Sequence, residues 1–362
     1  MSKRPAGALA GIAMTLLLAA PAAAQTPLPA LQRAAFAVPR PAVPLRDVVR
    51  EVPGAAAARI AATASSRRYG LGDGSGDSIA VAVSAACRQE CEAADPRAIA
   101  RTVGSFIHGR EVDLLTVQLV TPLELGFQCG FDAQACYFSG GDRVVLSGED
   151  EAGPDGASRE FVLAHEYGHH LAAHRDLPSP FPAAIDWGTE RWASVERVCR
   201  GHRAGVYFPG DEGDHYYEDP GEAFAEAFAF NRYPRAAVEW AWTPTLRPSA
   251  ASFRAIRRDA LRPWRGRHSF TVAGRLSRRG TVVQEFRTPL DGRVSVGAAG
   301  RRAAGYELAI RTRAGRTLLA ARRGGRPGRR LDYTVCGRSP QRVAVRISGR
   351  PGQRFLLRIQ RP

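Results

Sequence analysis

The sequence predicts an α+β domain followed by an all-β sandwich, and three observations carry that prediction. Between residues 76 and 262, apolar runs of strand length alternate with segments patterned for helices. After Pro263 the texture changes to short β-type runs punctuated by Gly, Pro and Asp. The six cysteines are an even number in a chain that opens like an exported one, which points to disulfides.

Taken in order, Lys3 and Arg4 precede an apolar stretch, Ala8 to Ala20, and Ala22-Ala23-Ala24 offers a small-residue cleavage site. Residues 1–24 therefore read as a signal peptide cut before Gln25. The apolar stretch is too short to span a bilayer and no other run could, so the protein is expected to be secreted, without a transmembrane span. Residues 25–75, rich in Ala and Pro, read as a leader or propeptide. Residues 76–262 form the first predicted domain. Ser78–Cys87 reads as a strand running into a helix. Asp95 caps a helix with Pro96 at its first position and Gly109 as its stop. Leu114–Val120 and Ala135–Gly148 read as strands, the second with a turn inside it, and 149–156 as an acidic loop. Helices are expected over Ser158–His174, from about Thr189 to Arg200, and from Asp219-Pro220 to about Asn231. Residues 263–362 form the sandwich, with eight β-type runs beginning at His268, Gly280, Gly292, Tyr306, Thr317, Leu331, Gln341 and Gln353.

Charge divides along the same line. The chain carries +16, yet from Arg265 onward 24 Arg face 4 acids, which leaves residues 25–264 at −6. Lys3 is the only lysine, so the positive charge is almost wholly arginine. A basic C-terminal domain on an acidic body suits an anionic cell-surface polymer as partner, against the alternative of a solvated arginine-studded surface, with nucleic acid disfavoured. Among the cysteines, short loops favour Cys129–Cys136 and Cys87–Cys91, which leaves Cys199 for Cys336. A zinc knot is disfavoured because no CxxC pair exists.

The segment "FVLAHEYGHHLAAHR", Phe161 to Arg175, holds the chemistry. His165 and His169 stand at i and i+4 on one helical face and can chelate one ion, for which imidazole nitrogens at about 2.0–2.1 Å suit zinc. Glu166 lies beside the open metal position and can take a proton from a water whose pKa zinc lowers to about 7. A third ligand at 175 is excluded, because Arg175 stands there and Ala172 replaces the Gly that such a pattern needs; the methionines, Met1 and Met14, also leave no Met-turn. His174 points about 180° from His165 and His170 about 140°, so both read as surface or packing residues.

Downstream, "HYYEDPGEAFAEAFAFN" places Glu222 and Glu226 at i and i+4 of another helix. One carboxylate can ligate the ion while the other accepts the N–H of a ligand histidine. Here the sequence resembles the gluzincin class of zinc metallopeptidases, and "GEAFAEAF" is similar to the second-helix signature of its thermolysin-like and lethal-factor-like branches. The resemblance implies a zincin-like catalytic domain, Zn2+ held by His165, His169 and Glu222, and Glu226 behind them. A competing reading places Glu222 in a capping box with Asp219 and makes Glu226 the ligand. Tyr216 and Tyr217, just upstream, are candidate donors to a developing oxyanion. The strand Asp142–Gly148 is expected, from the resemblance and element order, to be an edge that binds extended substrate. The C-terminal region looks similar to the pre-peptidase-type sandwiches of secreted bacterial proteases. The expectation is a secreted zinc metalloendopeptidase acting on protein or peptide, with a zinc hydrolase of cell-wall cross-links as a variant. The rival is an extracellular binding or adhesion protein with a structural or vestigial zinc site.

Overall fold

In a computed structural model of the chain, the structure describes residues 65–92, 94–149, 156–298, 305–312, 316–321, 330–337 and 340–362. The predicted signal peptide, the leader up to residue 64 and residues 150–155 of the acidic loop lie outside the described residues. All described residues fall within one unit, Arg40–Pro362.

Apolar runs build the centre of the first sheet, and the polar SSRRYG forms one edge. Its strands are β1 (Ser65–Gly70), β2 (Ser78–Val83), β3 (Thr116–Val120), β4 (Ala135–Phe138) and β5 (Arg143–Ser147), ordered β1-β2-β3-β5-β4. The central β2, β3 and β5 run parallel, and β1 and β4 close the edges antiparallel. Parallel strands are covered on both faces, which is why β2, β3 and β5 are mostly Val, Ile, Leu and Ala; Ile79, Val81, Val117, Leu119, Val144 and Leu146 are all buried. Parallel pairing needs crossovers. The first contains the short helix α1 (Cys87–Glu90) and α2 (Pro96–Gly104), and the second contains α3 (Pro122–Cys129). The structure places β1 within the stretch read as leader, so the sheet begins at Ser65.

Two expectations about this region are corrected. The strand β5 is not an edge; Ala135–Phe138 folds back as a hairpin and pairs outside it, making β4 the edge. Helix α2 stops at Gly104 rather than running to Gly109. The Ser105 hydroxyl donates to the Thr102 carbonyl at 2.6 Å, and a side chain at Gly104 would meet the Leu71 carbonyl at 2.5 Å. Asp95 caps α2 as expected, accepting from the Arg97 N–H at 2.9 Å.

The helical layer comprises α4 (Arg159–Ala173), α5 (Ala184–Trp187), α6 (Glu190–Val195), α7 (Val198–Arg203), α8 (Pro220–Arg232) and α9 (Ala250–Leu261). The single helix expected from Thr189 to Arg200 is two, broken where Arg197 adopts a left-handed φ of 60°. Helix α9 was not anticipated from the sequence, although Ser249 and Ser252 form a capping box at its start.

The eight C-terminal runs are eight strands: β6 (His268–Arg275), β7 (Thr281–Thr288), β8 (Gly292–Ala298), β9 (Glu307–Thr312), β10 (Thr317–Ala321), β11 (Arg330–Val335), β12 (Gln341–Ser348) and β13 (Arg354–Arg361). They form two antiparallel sheets, β10-β9-β12-β7 and β11-β8-β13-β6. Alternation drives their packing. Leu308, Ile310, Val343, Val345 and Ile347 of one sheet share a core with Val294, Val296, Leu357 and Ile359 of the other.

All three favoured disulfides are present: Cys87–Cys91, Cys129–Cys136 and Cys199–Cys336. The third ties α7 to the chain just after β11. No helix among the described residues is long and apolar enough to cross a membrane. The three disulfides are consistent with an extracellular protein.

Where the helices meet the linker to the sandwich, buried Glu190 accepts from the Trp264 N–H and from Arg191, both at 2.6 Å. Buried Asp259 shares Arg191 at 2.7 Å. Burial, then the Asp259 charge, pushes Glu190 up to about 8. A carboxyl raised above its ordinary 4.5 binds its proton more tightly when folded. Its contribution to stability is therefore complete below that value and is lost as pH rises through about 8. Glu190→Gln is expected to raise the melting midpoint at pH 9 and leave it nearly unchanged at pH 4, read by thermal denaturation at both. An equal shift at both values would contradict the assignment.

Candidate functional site

Helices α4 and α8 build the site by packing against each other. Ser158 caps α4, accepting from the Phe161 N–H at 3.3 Å, and Asp219 caps α8, accepting from the Gly221 N–H at 2.7 Å. Asp219 with Pro220 at the first turn sets where α8 starts. Phe161, Tyr167, Phe224 and Phe228 fill the core around the pair, each at most 1% exposed. The helices touch through Gly168 in the middle of HExxH. A side chain there would meet the Ala225 Cα at 2.7 Å, so glycine lets the backbones approach closely.

That approach brings the predicted residues together. The His165 and His169 Nε2 atoms lie 3.3 Å apart. Glu222 Oε2 is 3.5 Å from the first and Glu222 Oε1 is 3.5 Å from the second. Three donors held at about 2.0–2.1 Å in tetrahedral directions stand about 3.3–3.4 Å apart, so the residues fit a metal ion. Glu226 Oε2 lies 2.9 Å from His165 Nδ1, on the far side of that ring. The bond places the hydrogen on Nδ1 and leaves Nε2 its lone pair, the state a ligand requires. Geometry thus puts Glu222 against the donor nitrogens and Glu226 behind one of them. The capping-box alternative does not form, because the Asp219 side chain bonds Gly221 while Glu222 turns inward.

Glu166 is 2% exposed, one residue beyond His165. The Tyr216 hydroxyl donates to Glu222 Oε2 at 3.3 Å, so this tyrosine enters the site. Tyr217 packs edge-on against the Tyr216 ring, centroids 5.5 Å apart, and its carbonyl accepts from the Thr243 N–H at 2.8 Å. Upstream, His215 bonds Asp211 and stacks on Phe208.

Sequence reasoning missed the wall and floor of the site. The Trp242 ring stands 5.8 Å from the His165 ring and packs on Trp240; the alternating "WAW" at 240–242 was the available signal. Burial raises the Asp186 carboxyl on α5 above the usual range, and the nearby His169 opposes that rise. No pattern in the sequence links it to the histidines. Burial, then the Glu222 charge, also pushes Asp219 up to about 8. The site is thus a buried cluster of carboxylates and imidazoles.

The other two histidines have separate surroundings. His170 is fully buried, with Nε2 2.9 Å from the Glu111 carbonyl and Nδ1 3.2 Å from the Tyr137 hydroxyl. Burial holds its imidazole down to about 4. It is a core residue rather than a surface one. His174 caps α4 and lies 2.7 Å from Asp142.

No family model and no curated protein match the chain. Among solved structures, it is similar to the pre-peptidase C-terminal domain of collagenase from Bacillus anthracis, at 10% identity and TM-score 0.21, over 25% of this chain and 86% of that one. It is also similar to the Yersinia pseudotuberculosis-derived mitogen, at 13% identity and TM-score 0.21, over 26% and 83%. A third likeness is to Legionella pneumophila aminopeptidase A in complex with aspartic acid, at 10% identity and TM-score 0.23, over 80% of this chain and 36% of that one.

Proposed function

We propose that this chain is a secreted zinc-dependent metalloendopeptidase with a zincin-like catalytic domain. The observation that carries the reading is the buried trio His165, His169 and Glu222, whose donor atoms lie 3.3 to 3.5 Å apart, with an acid directly after the first histidine. Zinc, when bound, would polarise a peptide carbonyl and acidify a water. Glu166 would serve as the base that takes a proton from the attacking water and returns it to the leaving amine. His165 is oriented by Glu226. Tyr216, already donating to Glu222, turns its hydroxyl to the carbonyl oxygen as charge develops there. An Arg-rich sandwich with exposed Arg346, Arg354 and Arg358 would bring the enzyme to an anionic cell-surface polymer.

The test is Glu166→Gln. It is expected to keep its zinc and its melting midpoint and to lose about 10²–10⁴-fold in cleavage of casein or a peptide library. A wild-type protein that binds no zinc, or a variant that cleaves as fast as wild type, would sink the proposal and favour a binding protein.

A further inference from the structure

Helix α4 carries a second pair of histidines at i and i+4. His170 and His174 lie about 140° around the helix from His165 and His169. They face the turn between β4 and β5, where Asp142 takes a left-handed φ of 48° that Asp tolerates better than most residues. Asp142 Oδ1 lies 2.7 Å from His174 Nε2 and 3.7 Å from His170 Nδ1.

The His170 ring shows what these atoms offer. Its Nε2 faces the Glu111 carbonyl, which can only accept, so a hydrogen sits on Nε2. In the neutral ring, Nδ1 therefore points a lone pair at Tyr137 and Asp142. The one hydroxyl hydrogen of Tyr137 goes to Asp142 Oδ1, at 3.0 Å. Two imidazoles and a carboxylate thus converge, with all three donor atoms within 4.8 Å of one another. That set suits zinc and other divalent transition ions. A backbone carbonyl holding the far nitrogen of a histidine is the support such ligands show. The side chains of Asp142 and His174 are 28% and 25% exposed, which gives an ion a way in, while His170 is buried behind them. The His174–Asp142 hydrogen bond, 2.7 Å long, has to open by about 0.6–0.7 Å for both to reach one ion at about 2.0–2.1 Å. His174 ends its helix, where that movement is cheap.

We propose that Asp142, His170 and His174 form a second divalent transition-metal site, separate from the buried trio, which pins the β4–β5 turn to the end of α4. The inference does not depend on the peptidase reading.

The test counts zinc per full-length chain by equilibrium dialysis at micromolar free zinc, for wild type, Asp142→Asn and His174→Ala. Asparagine keeps the left-handed turn. The expected result is two equivalents in wild type and one in each variant, with the second equivalent raising the melting midpoint of wild type alone. Each variant is expected to take up one equivalent fewer than wild type whatever the buried trio holds, and variants that take up as many as wild type overturn the proposal. Circular dichroism checks the folding of each variant. If either fails to fold, the other and the wild-type count decide.

Discussion

Glu222→Ala is expected to strip the buried centre of its ion and end peptide cleavage, while Glu226→Gln leaves an active protein that needs more zinc. The contrast follows from position. Both Glu222 oxygens face the histidine Nε2 atoms at 3.5 Å, so removing them takes away a third of the ligand set and leaves two imidazoles and no anion to neutralise the cation. Two nitrogen donors cannot hold a catalytic ion, which takes three protein ligands. Glu226 instead holds the His165 Nδ1 hydrogen at 2.9 Å. Its loss frees the ring to choose the wrong tautomer, a defect of about 10–100-fold in affinity or activity. Titrating cleavage against buffered free zinc separates the two. Glu226→Gln should shift the curve and recover, and Glu222→Ala should show no recovery at any zinc concentration. The reverse ranking would make Glu226 the ligand.

The contrast also shows what was legible in the sequence. Periodicity placed His165, His169, Glu222 and Glu226 on their faces, because i and i+4 geometry is local to a helix. The eight sandwich strands were readable for the same reason, since alternation and turn residues are local signals. Which glutamate turns to the histidine Nε2 atoms was left open by the residues and implied only by the resemblance, because it depends on how α8 sits against α4, where Gly168 meets Ala225 over fifty residues away. The β4 edge was missed because strand order is not a property of any one strand. Arg175 was legible only as something that is not a ligand. Its actual partner, Glu111, lies in a 3-10 turn that has no periodic signature.

That pair carries the other large effect: Glu111→Ala is expected to destabilise the fold by about 3–5 kcal/mol. The Glu111 carboxylate accepts from the Gly109 N–H at 2.7 Å, the Arg175 guanidinium at 2.8 Å and the Tyr167 hydroxyl at 2.9 Å. Burial alone would raise its pKa, but the Arg175 charge and these donors outweigh burial and hold it below the ordinary carboxylate range. The sign is that of a depressed acid: the stability it contributes is present above the usual 4.5 and is lost as pH falls through the lower folded value. Alanine would leave the Arg175 side chain, 5% exposed, as a buried cation without its counter-ion, and the Tyr167 hydroxyl without its acceptor. Arg175 also donates to the Asp259 and Ala260 carbonyls at the end of α9 and to the His174 carbonyl at the end of α4, so the damage would reach the helix that carries His165, Glu166 and His169. Urea unfolding of Glu111→Ala measures the loss. The double variant Glu111→Ala with Arg175→Met should recover part of it, because no isolated charge remains. A single variant within 1 kcal/mol of wild type, or a double variant worse than the sum of its parts, would show that the pair does not hold α4 in place.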